Sequence, residues 1–575
     1  MDPLLKVWAP NAAGVELITG ASRLRMQADE DGYWSTPRPA PGTRYQFSLD
    51  GGGALKDPRS RRQPEGIFGP SEVVDPAAFP WSDAGFRPRP LSEALIYELH
   101  VGTFTPQGTF DAVGERLDHL LALGVTHLQL MPVATFSGVR GWGYDGVDLY
   151  APHAAYGEPD ALKRLVNTCH ARGLGVLLDV VYNHLGPEGN VLGQFGPYFT
   201  DRYHTPWGPA VNLDGAGSDQ VRRYFLDNAR MWLDDYHFDG LRLDAVHAFL
   251  DTSAKHILEE LAEEVEALAQ ERARRLVLIA ESDLNDPRVV RSRAEGGFGM
   301  HAQWSDDLHH ALHAALTEER AGYYADFGRL EHVARALENA FVYAGQHSEF
   351  RKRRHGRAPG DLSGHHFLGY LQTHDQVGNR ALGDRISTQL SAGRLKIGAA
   401  LVMFAPFVPM LFMGEEWAAQ SPFQYFTSHE SEALAEAVRN GRRGEFAAFG
   451  WQPEQVPDPQ ALETFERSRL NWSELTDAAH SEVLAWYCAL AELRRTQPEL
   501  LDGRRDRVQT AWNEEAGWLR CQRGSLILAC HIGTATCDVK LAANCELLLA
   551  SNAAVRVHGG VASLPHDSVV IAKAR

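Results

Sequence analysis

Seven near-continuous apolar runs of strand length recur from about residue 93, and each turns polar at its C-terminal end: ALIYELHVGTF, THLQLMPV, GVLLDVVYNH, GLRLDAVH, RLVLIAES, HHFLGYLQTHD and PMLFMGEEW. Unbroken apolar runs describe strands buried on both faces, and strands of that kind belong to parallel sheets covered by helices. The stretches between them are amphipathic. In SDQVRRYFLDNARMWLDDYH, Val221, Phe225, Ala229, Trp232 and Tyr236 fall at helical spacing, with Ser218 suited to cap the helix. An eighth strand is expected near GMHAQWSDDLHH. Eight strand–helix units over roughly 400 residues match an α/β fold of the (β/α)8 TIM-barrel type. A doubly wound sheet fits less well, because no GxGxxG opens a helix after a strand.

The rest of the 575 residues exceeds what one core holds, so flanking domains are expected. Residues 1–90 carry short alternating segments (LKVWAP, GVELIT, GYWSTP, TRYQFSLDGGG) that read as an N-terminal β-sandwich, followed by the proline-marked linker FPWSDAGFRPRPLSE. The barrel takes 91–495, with a Gly-, Pro- and aromatic-rich loop subdomain at about 184–215, and 496–575 return to short strands as a C-terminal β-domain. The apolar stretch IGAALVMFAPFVPMLFM (397–413) carries Pro406 and Pro409 and is short for a membrane span, so it reads as a buried helix and a buried strand.

A net charge of −18 opposes a nucleic-acid or anionic-membrane partner, since a general affinity for phosphate needs a positive field. The basic run RKRRHGR (351–357) reads as a solvated loop. Six cysteines form no CxxC pair, and MDPLLKVWAP shows no secretory pattern; a cytoplasmic protein with reduced thiols is expected.

Chemistry in such barrels sits at the C-terminal ends of the strands. Asp179, Asn183 and His184 close the third run; Arg242, Asp244 and His247 the fourth; Glu281 the fifth; His374 and Asp375 the seventh. Arg242 and Asp244, two apart, share a strand face. One such pair is readily a structural ion pair. Four carboxylates converging on one mouth concentrate repulsion and desolvation, which packing does not explain and acid–base chemistry exploits. Zinc chemistry would want HExxH-like ligand sets, and serine or nucleotide chemistry GxSxG or GxxxxGK[ST]; none occurs. No metal site is assigned, although Asp179 and Asn183 leave room for a hard cation. Paired carboxylates, many aromatics and a neutral substrate point to glycoside hydrolysis, in which Arg242 keeps a nucleophilic Asp244 ionised.

DVVYNH (179–184), GLRLDAVH (240–247), the Glu of IAES (281) and QTHDQ (372–376) resemble, in order, the four short signatures of the α-amylase superfamily, glycoside hydrolase family 13. That resemblance implies Asp244 as nucleophile, Glu281 as general acid/base and Asp375 as the third, transition-state-stabilising carboxylate. It further implies that Arg242, His184 and His374 line the −1 subsite, that Tyr144 in GWGYDG stacks on that sugar, and that Asp179 is mainly structural. RQPEGIFGPSEVVD, ESDLNDPRVV, AQWSDDLHHALH and HDQVGNRALGDR narrow the resemblance to the maltooligosyltrehalose trehalohydrolase family. These enzymes act on maltooligosyltrehalose without a cofactor. Two departures from the family pattern, Thr373 before the His-Asp pair and Phe68 in IFGP, touch none of the three carboxylates. Trehalose specificity has to arise on the leaving side, where Trp207, Trp304, Asp306 and His309 are the loop candidates. The rival readings are a glycogen-branching or debranching enzyme and a noncatalytic glucan-binding barrel. Retention of Asp244, Glu281 and Asp375 speaks against the second.

Overall fold

A computed structural model describes residues 3–447 and 452–575. Eight parallel strands close into a barrel in chain order: β1 (Ile96–Leu99), β2 (His127–Leu130), β3 (Gly175–Val180), β4 (Gly240–Leu243), β5 (Val277–Ala280), β6 (Ala302–Trp304), β7 (Phe367–Gly369) and β8 (Val408–Phe412), with β8 pairing back onto β1. Every residue of these strands is buried, so the barrel expected from the unbroken apolar runs is present, including β6 within GMHAQWSDDLHH.

Strand periodicity decides what the barrel holds inside. Ile96, Leu177, Ile279, Trp304, Tyr370 and Met410 form a core of their own within it, while Leu99, Leu128, Leu178, Leu241 and Leu278 join the larger core beneath the helices. Two residues beyond the interior apolar positions lie Glu98 and Asp179, on the same strand faces, and Glu281 and Asp306, just past the ends of β5 and β6. The interior therefore turns from hydrocarbon to carboxylate along the barrel axis. Gly240 lets the strands close: a Cβ there would lie 2.4 Å from the Val277 carbonyl oxygen.

Helix Ser218–Asp234 buries Val221, Phe225, Ala229 and Trp232, but its cap is Gly217 with φ 76°, not Ser218, which is already the first helical residue. The stretch 397–413 is divided between helix Ala392–Phe404 and β8. Arg494 and Arg523, both buried, donate to the Met403, Phe404, Ala405 and Phe407 carbonyls at the C-terminus of that helix, where cations complement the dipole. Arg523 belongs to the C-terminal strands, so this contact also seats that domain.

Residues 4–72 form antiparallel strands in two sheets, and 508–574 form two more. The N-terminal sheets meet the loop after β3, with Trp8 edge-on to Tyr198 at 5.4 Å and Phe47 to Phe195 at 6.3 Å. That loop carries a short helix, Leu192–Phe195, and a hairpin, Phe199–Thr205 with Gly208–Val211.

Candidate active site

Arg242 organises the mouth of the barrel. Asp179 and Arg242 are register partners on β3 and β4, and Arg242 Nη1 lies 2.8 Å from both Asp179 oxygens and 2.8 Å from Asp244 Oδ1. The other arm of the guanidinium, Nη2, is 3.2 Å from Glu281 Oε2. Its flat face rests over the Trp304 ring at 4.3 Å. One fully buried cation thus meets three carboxylates from three strands, an arrangement that suits a planar guanidinium and that a point charge would not reproduce.

Beside this ion pair, Glu281 accepts the Ala245 backbone N–H at 2.6 Å. Ala245 reaches it from the left-handed region, φ 41°, in the turn after β4. A non-glycine residue there costs roughly 1 kcal/mol, so the turn stores strain at the site. Burial raises the proton affinity of Glu281, Arg242 opposes this, and the charges of Asp244 and Asp375 add to it; the net direction is upward. A carboxyl that keeps its proton beside carboxylates is what a general acid requires. Burial also pushes Asp179 up, to about 7, against the pull of Arg242. Asp375, in the short helix His374–Gly378 after β7, is partly exposed and accepts from Asn379 Nδ2 at 2.7 Å.

Tyr144 lies over His374 with ring centroids 5.2 Å apart, and its hydroxyl donates to Asp179 Oδ2 at 2.7 Å. His374 Nε2 is 2.8 Å from the same hydroxyl, and His374 Nδ1 is 2.8 Å from Glu98 Oε1. His184, near the Asp145 and Asp244 carboxylates, pairs with the Tyr144 carbonyl at 3.0 Å. Trp207, 47% exposed at the hairpin tip, stacks on the His184 imidazole at 4.7 Å and 6°. Tyr144, His184, Arg242, Asp244, Glu281, His374 and Trp207 therefore belong to one neighbourhood. Asp306, pushed up to about 8 by burial and by Glu281, Asp283 and Asp375, stands beside it with the Tyr370 hydroxyl donating to its carboxyl.

Three loop assignments change. Trp304 and His309 are not on loops: Trp304 ends β6 inside the barrel under Arg242, and His309 lies on helix Asp306–Thr317. Both are 1% exposed, and His309 is held by the Leu371 carbonyl and the Tyr324 hydroxyl, so neither presents a face to a sugar. Asp306 likewise opens that helix instead of a loop. His247 is exposed in the turn Val246–Ala248. Asn183 faces its neighbour, with Oδ1 3.1 Å from His184 Nδ1. The basic run is not wholly solvated either, since Arg351 reaches Asp283 at 3.0 Å, two residues past Glu281.

Glu98 escaped sequence reasoning. Its strand IYEL shows a charge amid apolar residues, which was the available signal, but its partner His374 is 276 residues away. A cavity of about 1220 Å³ lies elsewhere, between the N-terminal sheets and helix Ser218–Asp234. It is walled by paired charges such as Arg59 with Asp227, Arg61 with Asp235 and Arg272 with Asp234, as a hydrated seam between domains would be.

Residues 73–195 match the family described as the α-amylase catalytic domain. The chain is 53% identical over 505 residues to a malto-oligosyltrehalose trehalohydrolase of Arthrobacter ramosus, covering 87% of this chain and 88% of that one. It is 47% identical over 555 residues to the Mycobacterium tuberculosis protein of the same name, covering 95% of each. A crystal structure from Salmonella typhimurium, described as a candidate alpha amylase, superposes with a TM-score of 0.91 at 37% identity, over 99% of this chain and 97% of that one.

Proposed function

The chain belongs to the malto-oligosyltrehalose trehalohydrolase family of the α-amylase superfamily, and from that premise we propose that it is a retaining glycosidase releasing trehalose from maltooligosyltrehalose. The bond cut is the α-1,4 link next to the terminal trehalose, and the other product is a shortened maltooligosaccharide. The observation that carries this reading is the Arg242 guanidinium, which contacts Asp244 at 2.8 Å with one arm and Glu281 at 3.2 Å with the other.

Asp244, ion-paired with Arg242, attacks the anomeric carbon, while Glu281 gives its proton to the departing glycosidic oxygen. Water, deprotonated by Glu281, then releases the sugar from the Asp244 ester. Asp375 binds hydroxyls of the distorted sugar, and Tyr144 supplies a flat face to it. His184, His374 and Arg242 line the same subsite, with Trp207 and Asp306 at its rims. The leaving side recognises the bent, 1,1-linked pair and converts that contact into transition-state binding.

All six cysteines are free thiols, which fits a reducing, cytoplasmic setting. No helix among the described residues is long and apolar enough to cross a membrane. The acidic surface disfavours nucleic acid, and neutral α-1,4-glucan oligosaccharides are the expected partners.

The test compares maltotriosyltrehalose with maltopentaose, two five-sugar α-1,4 glucans, by product chromatography. Trehalose released from the first, with the second cut far more slowly, is the expected result. Equal cleavage refutes leaving-side recognition, and products longer than either substrate indicate a transferase.

A further inference from the structure

The −1 subsite residues rest on a side chain that none of the four signatures contains. Glu98 is fully buried on β1 and points into the barrel. Its Oε1 lies 2.8 Å from His374 Nδ1, and its Oε2 accepts the His374 backbone N–H at 3.0 Å. Gln129, its register partner on β2, adds an N–H to Oε1 at 3.3 Å. Across the ring, His374 Nε2 meets the Tyr144 hydroxyl at 2.8 Å. That hydroxyl spends its only proton on Asp179, at 2.7 Å, and so offers His374 an acceptor. An oxygen thus stands within hydrogen-bond distance of each ring nitrogen, an arrangement that suits an imidazolium with hydrogen on both.

The chain of contacts continues from Asp179 to Arg242, and from there to Asp244 and Glu281. It crosses the barrel from β1 to β5. We infer that Glu98 is a positioning residue of the glycosidase: it holds His374 doubly protonated, with Nε2–H anchoring Tyr144, and through Tyr144 and Asp179 it fixes the guanidinium that grips the nucleophile and the acid. This inference rests on the reading under Proposed function and adds a residue to it.

A merely structural role is the competing account, since a buried ion pair stabilises little. The geometry argues for more than packing. Glu98 takes both the side chain and the backbone of one residue, and the far nitrogen of that residue ends on the ring that would meet the sugar. The groups facing His374 are Glu98 from β1, Tyr144 from the loop after β2, Arg242 from β4, Asp375 from its own short helix and His100 just past β1, with Trp142 and Trp304 edge-on. Burial works against the charged ring, as does Arg242; Glu98, followed by Asp375, outweighs them.

The experiment uses the full chain and begins with the unaltered protein. Nitrogen-15 spectra of selectively labelled histidine, with His374 assigned by its loss in His374→Gln, are expected to show both ring nitrogens protonated at about pH 7.5. A bare ring nitrogen there overturns the inference, whatever any variant does. Glu98→Gln removes the charge while keeping the size. An imidazole freed of its counter-ion titrates near 6.5 or below, so at about pH 7.5 about one ring in ten stays charged. The expected result is a fall in kcat of about tenfold with KM within about twofold, and a ratio to wild type that climbs as pH is lowered toward about 5.5. Unchanged kcat, or a loss that is the same at every pH, overturns the positioning role. A wild-type chain that cuts neither glucan refutes the proposed function instead, so the two failures stay distinguishable.

Discussion

Replacing Arg242 by lysine tests the centre of the site most directly. The guanidinium makes two contacts with Asp179, one with Asp244 and, through its second arm, one with Glu281. A lysine ammonium can occupy the position of Nη1 near Asp179 and Asp244. It has no second arm, so the 3.2 Å contact to Glu281 is lost, along with the planar stack on Trp304. Loss of a close contact between buried opposite charges is worth about 1.5–3 kcal/mol, which is roughly a 10- to 150-fold fall in kcat/KM. The sign of the pH effect follows from the same contact. Arg242 lowers the proton affinity of Glu281, so removing that arm lets it rise further above the usual carboxylate range. The general acid then keeps its proton to higher pH, and the alkaline limb of kcat/KM moves upward by about one unit for each 1.4 kcal/mol lost. The assay is the initial rate of trehalose release from maltotriosyltrehalose across the pH range, with circular dichroism to verify folding. A limb that stays in place or moves downward refutes the assignment of Glu281 as the acid tuned by Arg242.

Further consequences are open to measurement. Asp244→Ala and Glu281→Gln should each lower kcat by about four orders of magnitude with the fold intact, as removal of single members of a catalytic unit does; near-normal turnover in both rules out the two-carboxylate mechanism. Proton NMR of the freshly released maltooligosaccharide, before mutarotation, should show the α-anomer, because a double displacement retains configuration, and initial release of the β-anomer excludes a glycosyl ester on Asp244. Asp306 binds its proton far more tightly folded, at about 8, than unfolded. Its contribution to stability is present in full below the unfolded value near 4 and is lost as pH rises to about 8, at up to about 1.4 kcal/mol per unit. The melting temperature of Asp306→Asn relative to wild type should therefore climb between about pH 5 and pH 8 and then level off; a difference independent of pH contradicts the buried, carboxylate-crowded setting of Asp306.

The barrel was legible in the chain because its cause is local: a strand buried on both faces needs an unbroken apolar run, and seven such runs alternating with amphipathic helices leave few ways to hide them. The catalytic candidates were legible for the same reason. Leu177 and Asp179, or Ile279 and Glu281, are two residues apart, so a carboxylate that follows an apolar inward position must stand above it on the barrel axis. What local pattern could not reveal is who meets whom once the barrel closes. Trp304 and His309 had the composition of a sugar-binding loop, yet β6 and the helix after it turn both into the interior. Glu98 had the look of an anomaly in an apolar strand, and its meaning depends on His374, brought alongside only when β8 pairs with β1 and carries the short helix after β7 with it. Periodicity acts over two to four residues, whereas the electrostatics of the site are set by contacts between residues from dozens to hundreds of positions apart. Those distances exist only in the closed barrel, whose low-dielectric interior makes one shared guanidinium and one paired imidazole decisive.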